Sequence, residues 1–211
     1  MLTLGISTSS GQFAVVLGED NQLLFDSVDG NSHSELYGML SCGLDLCNRK
    51  IADIEHIIVD TGPGGTSRVR TGISFANSLS YSLDIPVCPV SSMELAGIDA
   101  YGKYKLPVIS TVRSIKGNAY IGFFDADKVV GIEYGKMEDL LPETVKDLSR
   151  FSVVGFHREQ IINMPCMKDK TIVDSHLFFG NARIFVEKSE LFLNRGVKFP
   201  VFAQPITEET L

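Results

Sequence analysis

Between Leu2 and Ala100 the hydrophobic pattern runs through one order of elements, and from Leu106 the same order begins again. No other feature of the sequence limits the fold as strongly. Leu2–Ile6, Phe13–Leu17 and Leu23–Val28 are short apolar runs, linked by Ser7-Thr8-Ser9-Ser10-Gly11 and by Gly18-Glu19-Asp20-Asn21. Runs of that length joined by turn chemistry are the strands of an antiparallel meander. The period then changes. Ser32-His33-Ser34-Glu35 has the spacing of a capping box, and Leu36, Met39, Leu40, Gly43, Leu46 and Cys47 follow along one helical side. Ile57-Ile58-Val59 is β-branched and too short for a helix, which is the pattern of a buried parallel strand. The loop Thr61-Gly62-Pro63-Gly64-Gly65 leads into a second helix over Ser67–Leu83. A strand at Pro86–Val90 and a short helix ending near Ala100 complete the first round.

In the second round, Val108–Val112, Ala119–Asp125 and Val129–Tyr134 predict three strands, with a turn around Ala126-Asp127. Met137–Ser149 reads as a helix, and Phe151–Gly155 and Thr171–Val173 as strands. Asp174 and Ser175 would cap a last helix through Lys188. The order β-β-β-α-β-α-β-α therefore occurs twice, with no residue-level repeat. The expectation is an α/β chain of two similar lobes, residues 1–103 and a smaller, divergent 104–211, joined around Gly97–Lys105.

Several function classes fall away. With 19 basic and 26 acidic residues the formal charge is −7, opposite to that of a protein that grips nucleic acid by neutralising phosphates. Hydrophobic residues at 44% and charged residues at 21% describe an ordinary globular chain. Cys42, Cys47, Cys88 and Cys166 form no CxxC pair, so reduced thiols in a cytoplasmic protein are expected. Residues 1–18 are uncharged, but they lack a basic leader and are broken by Thr3, Ser7, Thr8, Ser9, Ser10 and Gln12, which argues against a signal peptide. No run of about 20 apolar residues is present to span a membrane.

Motifs with catalytic chemistry are equally scarce. A glycine-rich turn before a helix turns backbone N–H groups toward an anion, which makes Gly62, Gly64, Gly65 and Ser67 candidate anion ligands. The turn is neither a P-loop nor a dinucleotide fingerprint, and it reads equally as a tight turn that lets strand and helix pack closely. There is no GxSxG elbow, no HExxH, and no i, i+4 pairing among His33, His56, His157 and His176. No catalytic constellation, metal site or cofactor is expected.

Several segments together resemble the TsaB (YeaZ) family. They are Leu4-Gly5-Ile6-Ser7-Thr8-Ser9, His33-Ser34-Glu35, the run from Gly62 to Gly72, Val87–Ser92 and Lys116-Gly117-Asn118-Ala119-Tyr120. The resemblance is dense over residues 1–125 and thin afterwards, and the Gly-Pro-Gly segment is its specific part. It implies the actin/Hsp70/sugar-kinase (ribonuclease H-like) fold, in agreement with the element order. It further implies a non-catalytic partner of TsaD, the subunit that transfers a threonylcarbamoyl group to adenosine 37 of tRNAs reading codons that begin with A. A TsaE-like ATPase completes that assembly, and tRNA is met only through the complex. The older label of glycoprotease finds no peptidase chemistry here. The competing reading is an active phosphotransferase or ATPase of the same fold. It would need a carboxylate in the first turn, where the family's Asp is replaced by Ser7. Arg68, Arg113 and Val201-Phe202-Ala203 are further departures from the family pattern.

The helix over Ser67–Leu83 lacks the charged outer face of an ordinary surface helix. Arg70, Ser74, Asn77, Ser78 and Tyr81 lie opposite its apolar side, and small residues there let another helix approach closely. The first helix is apolar over about half its circumference, which leaves Tyr37 and Leu44 at the margin. These seven residues are the expected docking surface for a TsaD-like subunit, or for a second copy in a homodimer.

Overall fold

The computed structural model describes residues 1–29, 35–114, 117–126, 128–196 and 200–202. The capping box at Ser32-His33-Ser34, Lys116, Asp127 and Ala203 lie outside the described residues.

In the first half, β1 (Leu2–Ser7), β2 (Phe13–Glu19) and β3 (Gln22–Asp29) form the expected antiparallel meander. β4 (Ile54–Asp60) and β5 (Val87–Val90) add parallel strands beyond β1, so the sheet order is β3-β2-β1-β4-β5. Strand alternation puts Leu2, Leu4 and Ile6 with Phe13, Val15 and Leu17 on one face, where they form a core with α1 (Glu35–Leu46) and α2 (Thr66–Leu83). α1 lies over β2 and β3, whereas α2 lies over β4, β1 and β5. Asp84 ends α2 in the left-handed region, its N–H returning to the Ser80 carbonyl.

In the second half, β6 (Val108–Arg113), β7 (Ala119–Asp125) and β8 (Lys128–Gly135) repeat the meander, and β9 (Arg150–Gly155) and β10 (Thr171–Asp174) repeat the parallel pair. The order β8-β7-β6-β9-β10 matches that of the first sheet. One face is covered by α4 (Met137–Thr144) and α5 (Arg158–Ile162), around Ile109, Ile121, Phe151 and Val153. The other is covered by α3 (Ser92–Tyr104), whose Met93, Ala96 and Ala100 pack with Val108, Val112, Phe124 and Val154.

Two sequence expectations are corrected in this half. The helix expected to run to Ser149 stops at Thr144. Its continuation is a turn whose Val145 and Leu148 carbonyls both accept from the Lys170 ammonium, at 2.5 and 2.6 Å. Nor do Asp174 and Ser175 cap a long last helix. Asp174 accepts the His176 N–H at 2.8 Å and the Ser175 hydroxyl donates to the Val153 carbonyl at 2.7 Å, which holds the end of β10. Among the described residues two short helices follow, α6 (Ile184–Glu187) and α7 (Glu190–Leu193).

Those short helices belong to the first compact unit, not the second. One unit takes Met1–Ser92 with the described residues from Ala182 onward, and the other takes Met93–Asn181. The division thus falls at the start of α3 rather than at the expected 103/104. Burial is the reason: Phe185, Val186 and Phe192 are shielded against the back of the first sheet, where α6 meets β1, β2 and β3 and α7 meets β4 and β5. Gly5 permits that approach, because a Cβ there would stand 2.8 Å from the Phe185 Cβ.

Candidate functional site

β1 and β4 run parallel side by side, with Ile6 opposite Val59, so Ser7 and Asp60 end neighbouring strands. From there one chain turns back into β2 and the other leads to α2. Asp60 is fully buried. Its Oδ2 accepts the Ser7 hydroxyl at 2.8 Å and also the Ser9 hydroxyl, and its Oδ1 accepts the Gly62 N–H at 2.8 Å. Burial pushes the carboxyl above the ordinary aspartate range, against the opposing pull of those hydrogen bonds. Asp60 is not among the residues that the sequence motifs single out. Its signal was a carboxylate closing the apolar run Ile57-Ile58-Val59 directly before a glycine turn. The acid missing from the first turn at Ser7 thus has a neighbour on the next strand, and Ser7 donates to it.

The glycine loop turns its polar groups inward. The Gly62–Pro63 peptide is cis. The Gly62 carbonyl accepts the Ser92 N–H at 2.8 Å, and the Pro63 carbonyl accepts the Ser92 hydroxyl at 2.7 Å. Thr61 is tied through its N–H and its hydroxyl to the Val90 carbonyl. Gly64 packs on the first hairpin, where a Cβ would lie 2.6 Å from the Ser9 Cβ. The Arg68 guanidinium donates to the Gly11 carbonyl across the same seam. Of the four anion candidates, Gly62 gives its N–H to Asp60 and Gly64 is half-buried against Ser9, so only Gly65 and Ser67 are exposed, at the start of α2.

The seven docking candidates divide differently. Tyr37 and Tyr81 are 65% and 70% exposed, and Arg70, Ser74 and Ser78 also face outward. Leu44 does not: it is buried in the first core, and the expectation that it stands at a margin is corrected. Leu46, read as inward, is 72% exposed instead. Asn77 is half-buried because its amide reads a backbone. Its Nδ2 donates to the Val201 carbonyl and its Oδ1 accepts the Val201 N–H, both at 3.0 Å. The chain's own Val201 segment therefore shares this face, and the next residue, Phe202, is 77% exposed.

Two five-stranded sheets of one strand order in a single chain define a two-lobed α/β protein. Comparison with known proteins narrows the class. The family model of the tRNA N6-adenosine threonylcarbamoyltransferase TsaD matches residues 30–187. The TsaB protein of Bacillus subtilis, a tRNA threonylcarbamoyladenosine biosynthesis protein, is 27% identical over 147 residues, 68% of this chain and 61% of that one. The TsaB of Buchnera aphidicola is 35% identical over 80 residues, 36% of this chain and 38% of that one. These matches span less than two thirds of either relative. YeaZ from Pseudomonas aeruginosa shares the fold, with a TM-score of 0.77 at 18% identity over 95% of this chain and 99% of that one. The chain belongs to the TsaD threonylcarbamoyltransferase family, on its TsaB (YeaZ) branch.

Proposed function

We propose that the chain is a non-catalytic subunit in the biosynthesis of threonylcarbamoyladenosine at position 37 of tRNA. It acts in the cytoplasm by docking a TsaD-like catalytic subunit, alongside a TsaE-like ATPase. The observation that carries this reading is the state of Asp60. A carboxylate that serves a metal or a phosphate has to present an oxygen to it, whereas Asp60 is wholly buried with both oxygens engaged by Ser7, Ser9 and Gly62. The carboxyl end of β4 is thereby a structural joint. A negative net charge agrees with contact to tRNA through the complex rather than by this chain alone.

The docking surface is the outer side of α1 and α2, carried by Tyr37, Arg70, Ser74, Ser78 and Tyr81. A second copy takes the same surface when the TsaD-like subunit is absent. Small side chains at Ser74 and Ser78 allow close helix approach, and the two exposed tyrosines supply aromatic anchors of the kind that dominate interfaces. The test introduces Ser74→Arg and Ser78→Glu, follows melting, and measures oligomer size and capture of a TsaD-like subunit. Normal melting with lost assembly is the expected result. Full assembly by both variants contradicts the placement, and ATP or peptide turnover by the repurified chain that an Ala substitution abolishes contradicts the non-catalytic role.

A further inference from the structure

Each sheet ends in two edge strands, and an open edge offers unpaired N–H and C=O groups to another chain. Three of these edges are short or shielded. β5 has four residues, and α7 packs against it. β10 has four, three of them half-buried. β3 is longer, but it is half-buried at most positions and its Asp26 is held by Arg183. β8 differs. Its residues from Lys128 to Glu133 are all exposed, six in succession. Val129, Val130 and Ile132 are 40%, 60% and 36% exposed, which makes an apolar strip along the edge.

A bulge orders that strip. Phe123 pairs with Gly131 and Phe124 with Val129, so Val130 is an extra residue in β8. Residues opposite one another on paired strands share a face. Val129 therefore lies on the face of Phe124, and Ile132, opposite Gly122, lies on that face too. Lys128, opposite Asp125, and Glu133, opposite Ile121, lie on the other face, which α4 covers. There a pocket of about 230 Å³ opens, lined by Ile121, Phe123, Val130, Glu133 and Glu143. Glu143 is matched by Lys146, whereas Lys128 and Glu133 form no ion pair among the described residues.

Such an edge is complementary to itself. A second copy placed antiparallel, with a two-fold axis between Val130 and Gly131, sets Lys128 against Glu133 and Val129 against Ile132, each twice. One pair is of opposite charge, the other is apolar, and the members of each lie on one face. The axis passes through the bulge, so the extra residue of one strand stands against that of the other and the two edges keep step. A lysine and a bulge turn away an arbitrary strand, but a copy of β8 carries the complement of both. We propose that β8 docks β8 of a second copy, joining two five-stranded sheets into one continuous sheet. Lys128 of the second copy then meets Glu133 at the rim of the pocket. Edges of this length bury less than the roughly 1,200–2,000 Å² of a stable complex, so the dimer is a weak one, half formed at roughly 10–100 μM. The inference uses the second unit and does not depend on docking by α1 and α2, so the two can fail separately.

The experiment follows the mass of the full chain by sedimentation equilibrium from about 5 to 500 μM, in the Ser74→Arg or Ser78→Glu background that blocks contact through α2. A dimer should persist there. Ile132→Lys should weaken it by about tenfold or more. Lys128→Glu sets two carboxylates face to face at each end and should also weaken it by about tenfold. Adding Glu133→Lys to Lys128→Glu restores opposite charge and should return the affinity to within about threefold of the starting protein, which a general loss of fold cannot do. Melting of every variant in the monomeric range should stay unchanged. A monomer at all concentrations overturns the proposal and leaves the edge to a strand of another protein. So does a dimer that ignores Ile132→Lys, or a charge reversal that Glu133→Lys fails to repair.

Discussion

The two units place the same crevice at the same point of the same sheet and fill it in opposite ways. In the first, a carboxylate at the end of the fourth strand is roofed by Ser7, Ser9 and a cis Gly-Pro turn, and the crevice is closed by the protein's own groups. In the second, Gly155 ends the equivalent strand, and the residues after it leave a pocket lined by Arg113, Arg158 and two phenylalanines. Topology therefore decides where a site can lie, and the few residues after each strand decide whether one exists. The back faces also differ in origin. α3 follows the first sheet in sequence but covers the second, whereas α6 and α7 follow the second sheet and cover the first.

The severest way to break the comparison is at Gly155. Its φ of +106° lies outside the range of L side chains, and a Cβ would lie 1.9 Å from the Thr111 carbonyl oxygen. Gly155→Ala should cost more than about 4 kcal/mol, read as a collapse of the thermal transition or as insoluble protein. On the other side, Asp60→Ala strands two hydroxyls and one N–H in a closed site, and a loss of about 2–4 kcal/mol in chemical denaturation is expected.

The same carboxyl sets a pH dependence. Burial raises its pKa in the folded chain above the ordinary aspartate value of 3.8, so the folded state holds the proton over a pH range in which the unfolded state has released it. Stability contributed by this group is therefore greatest below about pH 4 and declines as pH rises through the raised value. Wild type measured against Asp60→Asn should lose relative stability upward from pH 4, and a flat difference contradicts the burial argument. The smallest effect is expected at Asn77, where Ala removes two hydrogen bonds to Val201 at a partly exposed position. About 1 kcal/mol should be lost, with faster proteolysis after α7.

Much of this fold is written in local patterns. The strands at Ala119–Asp125 and Phe13–Leu17, and the helix over Ser67–Leu83, follow from period, length and turn chemistry. What those patterns cannot carry is which sheet an amphipathic segment covers. Phe185, Val186 and Phe192 look alike to any sheet, and the space over Gly5 and Gly18 admits Phe185 and Val186 at the first. The sites show the same divide. Ser74, Ser78 and Tyr81 on α2 are legible from helical spacing, whereas Leu44 and Leu46 stand near opposite margins of α1's apolar arc, and the core takes the first and leaves the second exposed. Asp60 and Ser7 are 53 residues apart, and their bond exists only through the pairing of β1 with β4. Arg158 and Phe178 meet only because β9 and β10 bring them together. Arg113 stood out in the sequence as a departure from a family pattern, and its partners did not.

The central claim is that the first unit's crevice is a structural joint in a non-catalytic subunit, and the direct measurement is threonylcarbamoylation of tRNA by the reconstituted complex with Asp60→Asn in place of wild type. The variant keeps the volume of the side chain and removes its charge. The account predicts a complex that assembles fully, with a rate within about twofold of wild type. A loss of roughly 10²-fold or more, the scale on which catalytic acids and bases act, in a variant that melts and assembles normally, contradicts it.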